Sequence, residues 1–209
     1  MEKLIIRELG RREYVPVWRE MQAFTASRLR ETVDELWFVE HPPVFTLGVG
    51  GKEQHLLDPH NIPVIRSNRG GQVTYHGPGQ IVGYVLFDLH RKKMGIRQLV
   101  SFLEDVVIEL LSQFGLRAYS KKDAPGVYID DSKIAAVGLR ISRGYSYHGF
   151  ALNVGMDLTP YEWINPCGFK GLAITQLRDL GVQESIVNLK KRLKTIIAGK
   201  GGYALHEAG

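Results

Sequence analysis

The most reactive side chain in this sequence is its single cysteine, Cys167, set in the run Ile164-Asn165-Pro166-Cys167-Gly168-Phe169. A lone cysteine is most often a small buried hydrophobe. Proline and glycine on either side instead place this one in a turn, where a thiol can sit at a pocket mouth and attack an electrophilic carbon. Attack needs the thiolate, and an ordinary thiol is only about 3% ionised at pH 7, so a neighbouring cation belongs to the requirement. Lys133 is the candidate cation. It opens the run Lys133-Ile134-Ala135-Ala136-Val137-Gly138-Leu139 and faces a segment of small residues. A lysine at a strand edge can also simply snorkel to solvent, and the distance in sequence leaves its pairing with Cys167 open.

The run Arg69-Gly70-Gly71-Gln72-Val73-Thr74-Tyr75-His76-Gly77-Pro78-Gly79-Gln80 holds four glycines in twelve residues. Each glycine weakens a helix or strand interior by about 0.5–1 kcal/mol, so this density points to backbone that takes positive φ or lies close to a ligand. A mobile surface loop has no need of Arg, Gln, Thr, Tyr and His interleaved with those glycines, and Arg69 to His76 reads as a binding loop. In His148-Gly149-Phe150-Ala151-Leu152-Asn153-Val154 small residues alternate with large ones, as they do across Ala136-Val137-Gly138. Two such strands side by side leave a groove suited to an alkyl chain. Filling it with a medium-length acyl group contributes roughly 5 kcal/mol at ~0.8 kcal/mol per buried CH₂.

The elements that must position these residues follow from periodicity. Met1 to Leu9 reads as a strand. Tyr14, Val17, Trp18, Met21, Phe24 and Leu29 recur at helical spacing and predict an amphipathic helix over residues 13–30. Strands are predicted over Glu35 to Glu40, Val44 to Leu47, Pro63 to Arg66 and Gln80 to Leu89. The clearest stripe is Ile96, Leu99, Val100, Leu103, Val106, Val107, Leu110, Leu111 and Phe114, a helix closed by Gly115. Gly126 to Ile129, Lys133 to Ile141 and Tyr145 to Val154 predict a three-stranded meander, turning at Asp130-Asp131-Ser132 and Arg143-Gly144. A last amphipathic helix uses Ile186, Leu189, Leu193, Ile196 and Ile197, and the tail after Lys200 reads as frayed. Helices and mostly antiparallel strands interleave without linker or repeat, which predicts one α+β domain over residues 1–209, with helices on a mixed β-sheet.

Composition agrees: of 209 residues, 44% are hydrophobic and 23% charged, enough for a sizeable core and against disorder. With one cysteine there is no intramolecular disulfide and no cysteine-rich metal cluster. No apolar run is long enough to span a bilayer, and the charged N-terminal strand does not resemble a secretory signal, so a cytoplasmic protein is expected. A net charge of +5 suits nucleic acid or acidic proteins alike. Basic blocks no longer than three residues, such as Arg91-Lys92-Lys93, and the lack of a zinc-finger or RNP signature favour acidic proteins.

The glycine-rich run, the Lys-Ile-Ala-x-x-Gly-Leu-Arg strand, the His-Gly-x-Ala-Leu-Asn-Val strand and the Pro-Cys-Gly turn occur here in that order. Together they resemble the octanoyltransferases, the lipoyl(octanoyl) transferases of lipoate biosynthesis, over about residues 35–180. The resemblance implies the catalytic fold shared with biotin ligases and lipoate–protein ligases. It implies Cys167 as the nucleophile that carries an acyl thioester, and Lys133 as the group that favours its thiolate. Substrate contacts are implied for Arg69, Gly70, Gly71, Gln72, Val73, Thr74, Tyr75 and His76, for Ala136, Val137 and Gly138, and for Gly149, Phe150 and Ala151. The donor implied is octanoyl-acyl carrier protein. The acceptors are lipoyl domains of 2-oxoacid dehydrogenase complexes and the glycine-cleavage H protein. No metal, nucleotide or other cofactor, no nucleic acid and no membrane are expected, and a monomer is. One departure is the Asp130-Asp131-Ser132 turn, where a glycine is common; it touches hairpin geometry and not the site.

Three other readings use the same residues. An ATP-dependent lipoate or biotin ligase of this fold needs no Pro-Cys-Gly nucleophile, and the Gly-Arg-Gly-Arg loop of biotin ligases is missing. A cysteine hydrolase would use His76 or His148 as base. A non-catalytic carrier-binding module would keep its role after Cys167→Ala.

Overall fold

A computed structural model describes residues 1–208 of the chain. In chain order the elements are β1 (Glu2–Arg11), α1 (Tyr14–Ser27), β2 (Asp34–Glu40), β3 (Val44–Leu47), β4 (Val64–Arg66), β5 (Val73–His76), β6 (Gln80–Leu86), α2 (Ile96–Ser112), β7 (Tyr119–Ser120), β8 (Gly126–Ile129), β9 (Ser132–Ser142), β10 (Tyr145–Asn153), α3 (Ile186–Gly201) and β11 (Tyr203–Glu207). Eight strands form one mixed sheet in the order β11-β1-β2-β6-β10-β9-β8-β7, and β4-β3-β5 form a small second sheet. The fold class is therefore α+β, as the interleaved periods predict.

The central strands β2 and β6 are almost wholly buried because both sheet faces are covered. Alternation sorts their residues. Leu36, Phe38, Ile81 and Val85 pack with Leu99, Leu103 and Val107 of α2 and with Leu193 and Ile197 of α3. Trp37, Val39, Val82, Tyr84 and Leu86 turn the other way, onto Val17 and Met21 of α1. Each such side chain contributes about 1.5–3 kcal/mol on burial, so the two helical stripes hold the sheet between them. Among the described residues no helix is long and apolar enough to cross a membrane.

Three expectations are revised. Helix α1 ends at Ser27 because Arg28 leaves helical geometry (φ −58°, ψ 133°). Its buried guanidinium pairs with Asp34 at 2.6 Å and donates to Leu86 O at 2.5 Å. The glycine-rich run is not wholly a loop: Val73–His76 is strand β5, antiparallel to β3. Through Ala208, the last described residue, the tail is not frayed. Gly202, in left-handed geometry (φ +67°), ends α3, and β11 returns parallel to β1. There Tyr203 is buried and its hydroxyl donates to Asp34 Oδ2 at 2.7 Å. The 126–154 meander is antiparallel as predicted, with β8, β9 and β10 paired in sequence order.

The small sheet covers a separate apolar cluster, Phe45, Leu47, Val73, Tyr75, Met156, Tyr161 and Ile164. Ile164 belongs to the segment that leads into the cysteine turn, so this cluster seats the turn against the rest of the molecule.

Candidate active site

Lys133 is the second residue of β9, and its side chain lies inside the protein, 3% exposed. Backbone register brings Cys167 to it. After the cysteine turn the chain comes back alongside β9, and Ile174 bridges Lys133 in parallel. The Lys133 N–H donates to Ala173 O at 2.8 Å, and the Thr175 N–H to Lys133 O at 3.0 Å. On its other side the turn is tied down by the Asn165 N–H on His55 O at 2.8 Å. Cys167 itself takes left-handed geometry (φ 56°, ψ 14°), a conformation that costs a non-glycine residue about 1–2 kcal/mol. The result is a contact of 2.9 Å between Lys133 Nζ and Cys167 Sγ; Nζ also donates to Pro125 O at 2.7 Å.

Cys167 lies on the wall of a cavity of about 370 Å³, whose lining includes the exposed side chains of Ile96 and Phe169. That size falls within the range of small-molecule sites. The same cavity collects the residues singled out in sequence: Arg69, Gly70, Gly71, Gln72, Val73, Thr74, His76, Ala136, Val137, Gly138, Gly149, Phe150 and Ala151 all line it. Tyr75 does not. It is buried between Phe45 and Tyr161 in the cluster under the small sheet, because alternation along β5 turns it away from Thr74 and His76. Lys133 stands in a narrow recess behind Cys167, with Thr74, Ala135 and Asn153. Sequence reasoning does not find Tyr14, Val82, Tyr84 and Val100, which also line the cavity. Their signal is only that of core residues on helix and strand.

The groove expected from small side chains has a different physical basis. A Cβ at Gly149 would collide with Gly83 O, and one at Gly138 would lie 3.2 Å from Gly70 O. These glycines let β6 and the Arg69–Gly71 loop approach closely; the cavity space comes from elsewhere. Arg69 is likewise spent on the scaffold. Its buried guanidinium donates to Thr46 Oγ1 (3.0 Å), Thr46 O (2.6 Å), Gly70 O (2.9 Å) and Gln72 O (2.8 Å), clamping the loop that forms one wall.

The buried histidines in and behind the cavity wall, near the Arg69 guanidinium, are neutral. Burial pushes His76 down to about 3 and His41 to about 4, and holds His148 well below the usual histidine range. Each ring is held by hydrogen bonds suited to the neutral form. His41 Nδ1 donates to Arg12 O (2.7 Å), so its Nε2 accepts from Tyr84 OH (2.8 Å). His76 Nδ1 lies 2.7 Å from Gln80 Oε1, and His148 Nε2 2.9 Å from Asn68 Oδ1. Among the described residues the hydrogen bond to Sγ comes from Lys133 and not from a histidine, which disfavours the hydrolase arrangement.

Over residues 14–198 the chain matches the family described as the lipoyl protein ligase A/B catalytic domain. It is 54% identical over 189 residues to an octanoyltransferase of Chromobacterium violaceum, across 90% of this chain and 91% of that one. In three dimensions it is similar to a chain in the structure of a bi-partite lipoate protein ligase and its E2 lipoyl domain from Thermoplasma acidophilum. The TM-score is 0.79 at 18% identity, over 100% of this chain and 87% of that chain. It is also similar to biotin protein ligase from Aquifex aeolicus, with a TM-score of 0.58 at 13% identity, over 97% and 70% of the two chains. At those identities the likeness is one of fold.

Proposed function

Since the chain belongs to the lipoyl protein ligase A/B catalytic-domain family and, within it, to the octanoyltransferases, we propose that it transfers the octanoyl group through Cys167 in two thioester-dependent steps. The donor is octanoyl-acyl carrier protein. The acceptor is a lysine on a lipoyl domain of a 2-oxoacid dehydrogenase complex or on the glycine-cleavage H protein. The observation that carries this reading is the 2.9 Å contact between a buried ammonium and the only thiol, at the wall of a cavity lined mainly by apolar side chains and backbone.

In the first step the Cys167 sulfur attacks the thioester carbonyl, the carbon–sulfur bond to the carrier breaks, and the carrier thiolate leaves with a proton. One thioester replaces another, so the step is near thermoneutral. Lys133 balances the negative charge of the attacking sulfur and supplies the proton to the leaving one. In the second step the neutral acceptor amine attacks the acyl-enzyme. It loses a proton to Lys133, left neutral by the first step, as the amide forms, and Cys167 returns as the leaving group. An activated thioester makes amide formation downhill, so the reaction needs no adenylate. Cavity walls of Val82, Val100 and Phe150 suit the alkyl chain, each buried methylene contributing ~0.8 kcal/mol. The +5 charge supports steering of two acidic protein partners. In this reading the enzyme acts as a cytoplasmic monomer.

Intact-mass analysis after mixing with octanoyl-carrier protein tests this. Wild type is expected to gain one octanoyl group, lost in Cys167→Ala, and to pass it to an apo lipoyl domain in EDTA without nucleotide. An adduct that persists in Cys167→Ala, or modification only with free octanoate or lipoate plus ATP and Mg²⁺, would replace the transferase mechanism by another.

A further inference from the structure

The inner face of α2 is aliphatic except at one position. Leu99, Leu103, Val106, Val107, Leu110 and Leu111 are fully buried, and among them sits Glu104, 6% exposed. A carboxylate on such a face is costly unless it is bound. Burial raises the Glu104 carboxyl from its ordinary value, opposed by the Gly126 N–H and the positive charge of Lys133. Its Oε1 accepts from the Gly126 N–H at 2.7 Å. That N–H belongs to the same peptide group as Pro125 O, and Pro125 O is the atom that accepts from Lys133 Nζ at 2.7 Å. A single planar amide thus has the carboxylate on its N–H end and the catalytic ammonium on its C=O end.

Pro-Gly is the dipeptide whose central peptide is easiest to turn over. Proline fixes one side, and glycine accepts either sign of φ on the other. Here Gly126 has φ +132°, and a Cβ on it would collide with Lys133 Cε and lie 3.0 Å from Nζ, so the peptide lies directly on the lysine stem. Turned over, this peptide would aim its carbonyl at the Glu104 carboxylate and its N–H at the ammonium, and both contacts would be repulsive. We propose that Glu104 is a positioning residue for the reaction: by holding the Gly126 N–H it fixes the Pro125 carbonyl, and this anchors Lys133 with one proton on that carbonyl and another toward Cys167 Sγ. The inference rests on the Lys133–Cys167 reading given above and extends it by one residue, from a different element of the fold.

The test measures single-turnover octanoylation of Cys167 by intact mass in wild type, Glu104→Ala, Glu104→Gln, Lys133→Ala and the Glu104→Ala/Lys133→Ala double variant. Glu104→Ala is expected to slow the step about 10- to 100-fold, the range in which outer groups orient a reacting one, with half-saturation by donor unchanged. Glu104→Gln keeps an oxygen for the Gly126 N–H and is expected to recover the rate to within about threefold of wild type. The double variant is expected to be slowed no more than about twofold beyond Lys133→Ala, because both changes remove one function. If Glu104→Ala does not fold, Glu104→Asp, shorter by one methylene, replaces it with the same expectations. Wild-type rates in Glu104→Ala, equal losses in Glu104→Ala and Glu104→Gln, or additive losses in the double variant each overturn the inference while leaving the dyad intact. A wild-type rate in Lys133→Ala overturns both.

Discussion

Replacing Lys133 by methionine separates chemistry from packing, because methionine fills much the same volume without the ammonium. Nζ stands 2.9 Å from Sγ, and at an effective dielectric of about 20 two unit charges at that distance interact by about 6 kcal/mol. During attack the charge moves from sulfur toward the carbonyl oxygen but stays close by, and water entering the recess returns part of the loss. Taking about half as lost raises the acylation barrier by about 3 kcal/mol, roughly a hundredfold in rate. Stability is expected to move differently. Lys133→Met leaves Pro125 O without its donor, which costs about 1–3 kcal/mol, but it also removes a buried cation whose desolvation costs several kcal/mol. The melting temperature should therefore hold or rise while the rate falls. Rapid-quench acylation followed by intact mass gives the first quantity and scanning calorimetry the second. An acylation rate within threefold of wild type would refute the electrostatic reasoning. A drop in Tm of more than about 10 °C together with the lost rate would refute the separation of roles.

Gly149→Ala should destabilise by about 1–3 kcal/mol, because its methyl group meets Gly83 O at a strand pair that cannot part; thermal unfolding reads this as a Tm lower by several degrees. Tyr203→Phe should lower the urea midpoint, at about 1–3 kcal/mol for the lost bond to the buried Asp34 carboxylate, whereas a frayed tail would give no change. Stability should fall as pH drops below about 6.5, the unfolded histidine value, and go on falling toward about 4 and 3, where His41 and His76 take up protons in the folded state. The sign follows from the buried rings being neutral: in that window the unfolded chain binds protons that the folded one refuses. Urea midpoints measured from pH 7 to 4 check it, and His41→Asn should flatten the slope.

The helix α2 and the β8–β10 meander are legible in the sequence because each is encoded by a local period that reports one buried face. The pairing of Lys133 with Cys167 is not legible, because it depends on a parallel bridge to Ile174 and on the Asn165–His55 tie. A hydrophobic period says which side of a strand is buried, not which strand lies beside it. The tail fails for the same reason. Its glycines suggest fraying, while a buried hydrogen bond from Tyr203 to Asp34, 169 residues earlier in the chain, decides otherwise.

The glycines of the site show how a local reading can find the right place for the wrong cause. Gly138 and Gly149 do line the cavity, as the alternation of small residues suggests. What makes them glycine is the approach of Gly70 O and Gly83 O, backbone atoms from loops and strands distant in sequence. Arg69 repeats the point: a cation in a glycine-rich loop suggests a hand for the substrate, yet its donors are used on Thr46, Gly70 and Gln72. Enlarging either glycine therefore displaces β6 or the Arg69–Gly71 loop, and with it part of the cavity wall, before it fills the cavity itself. A change intended to alter chain length has to act through side chains that already project into the cavity from well-packed elements, such as Val82 of β6 or Val100 of α2. There, on the proposed reading of the cavity, an added methylene takes up space for the alkyl chain, and the cost falls on acyl selectivity instead of on the fold.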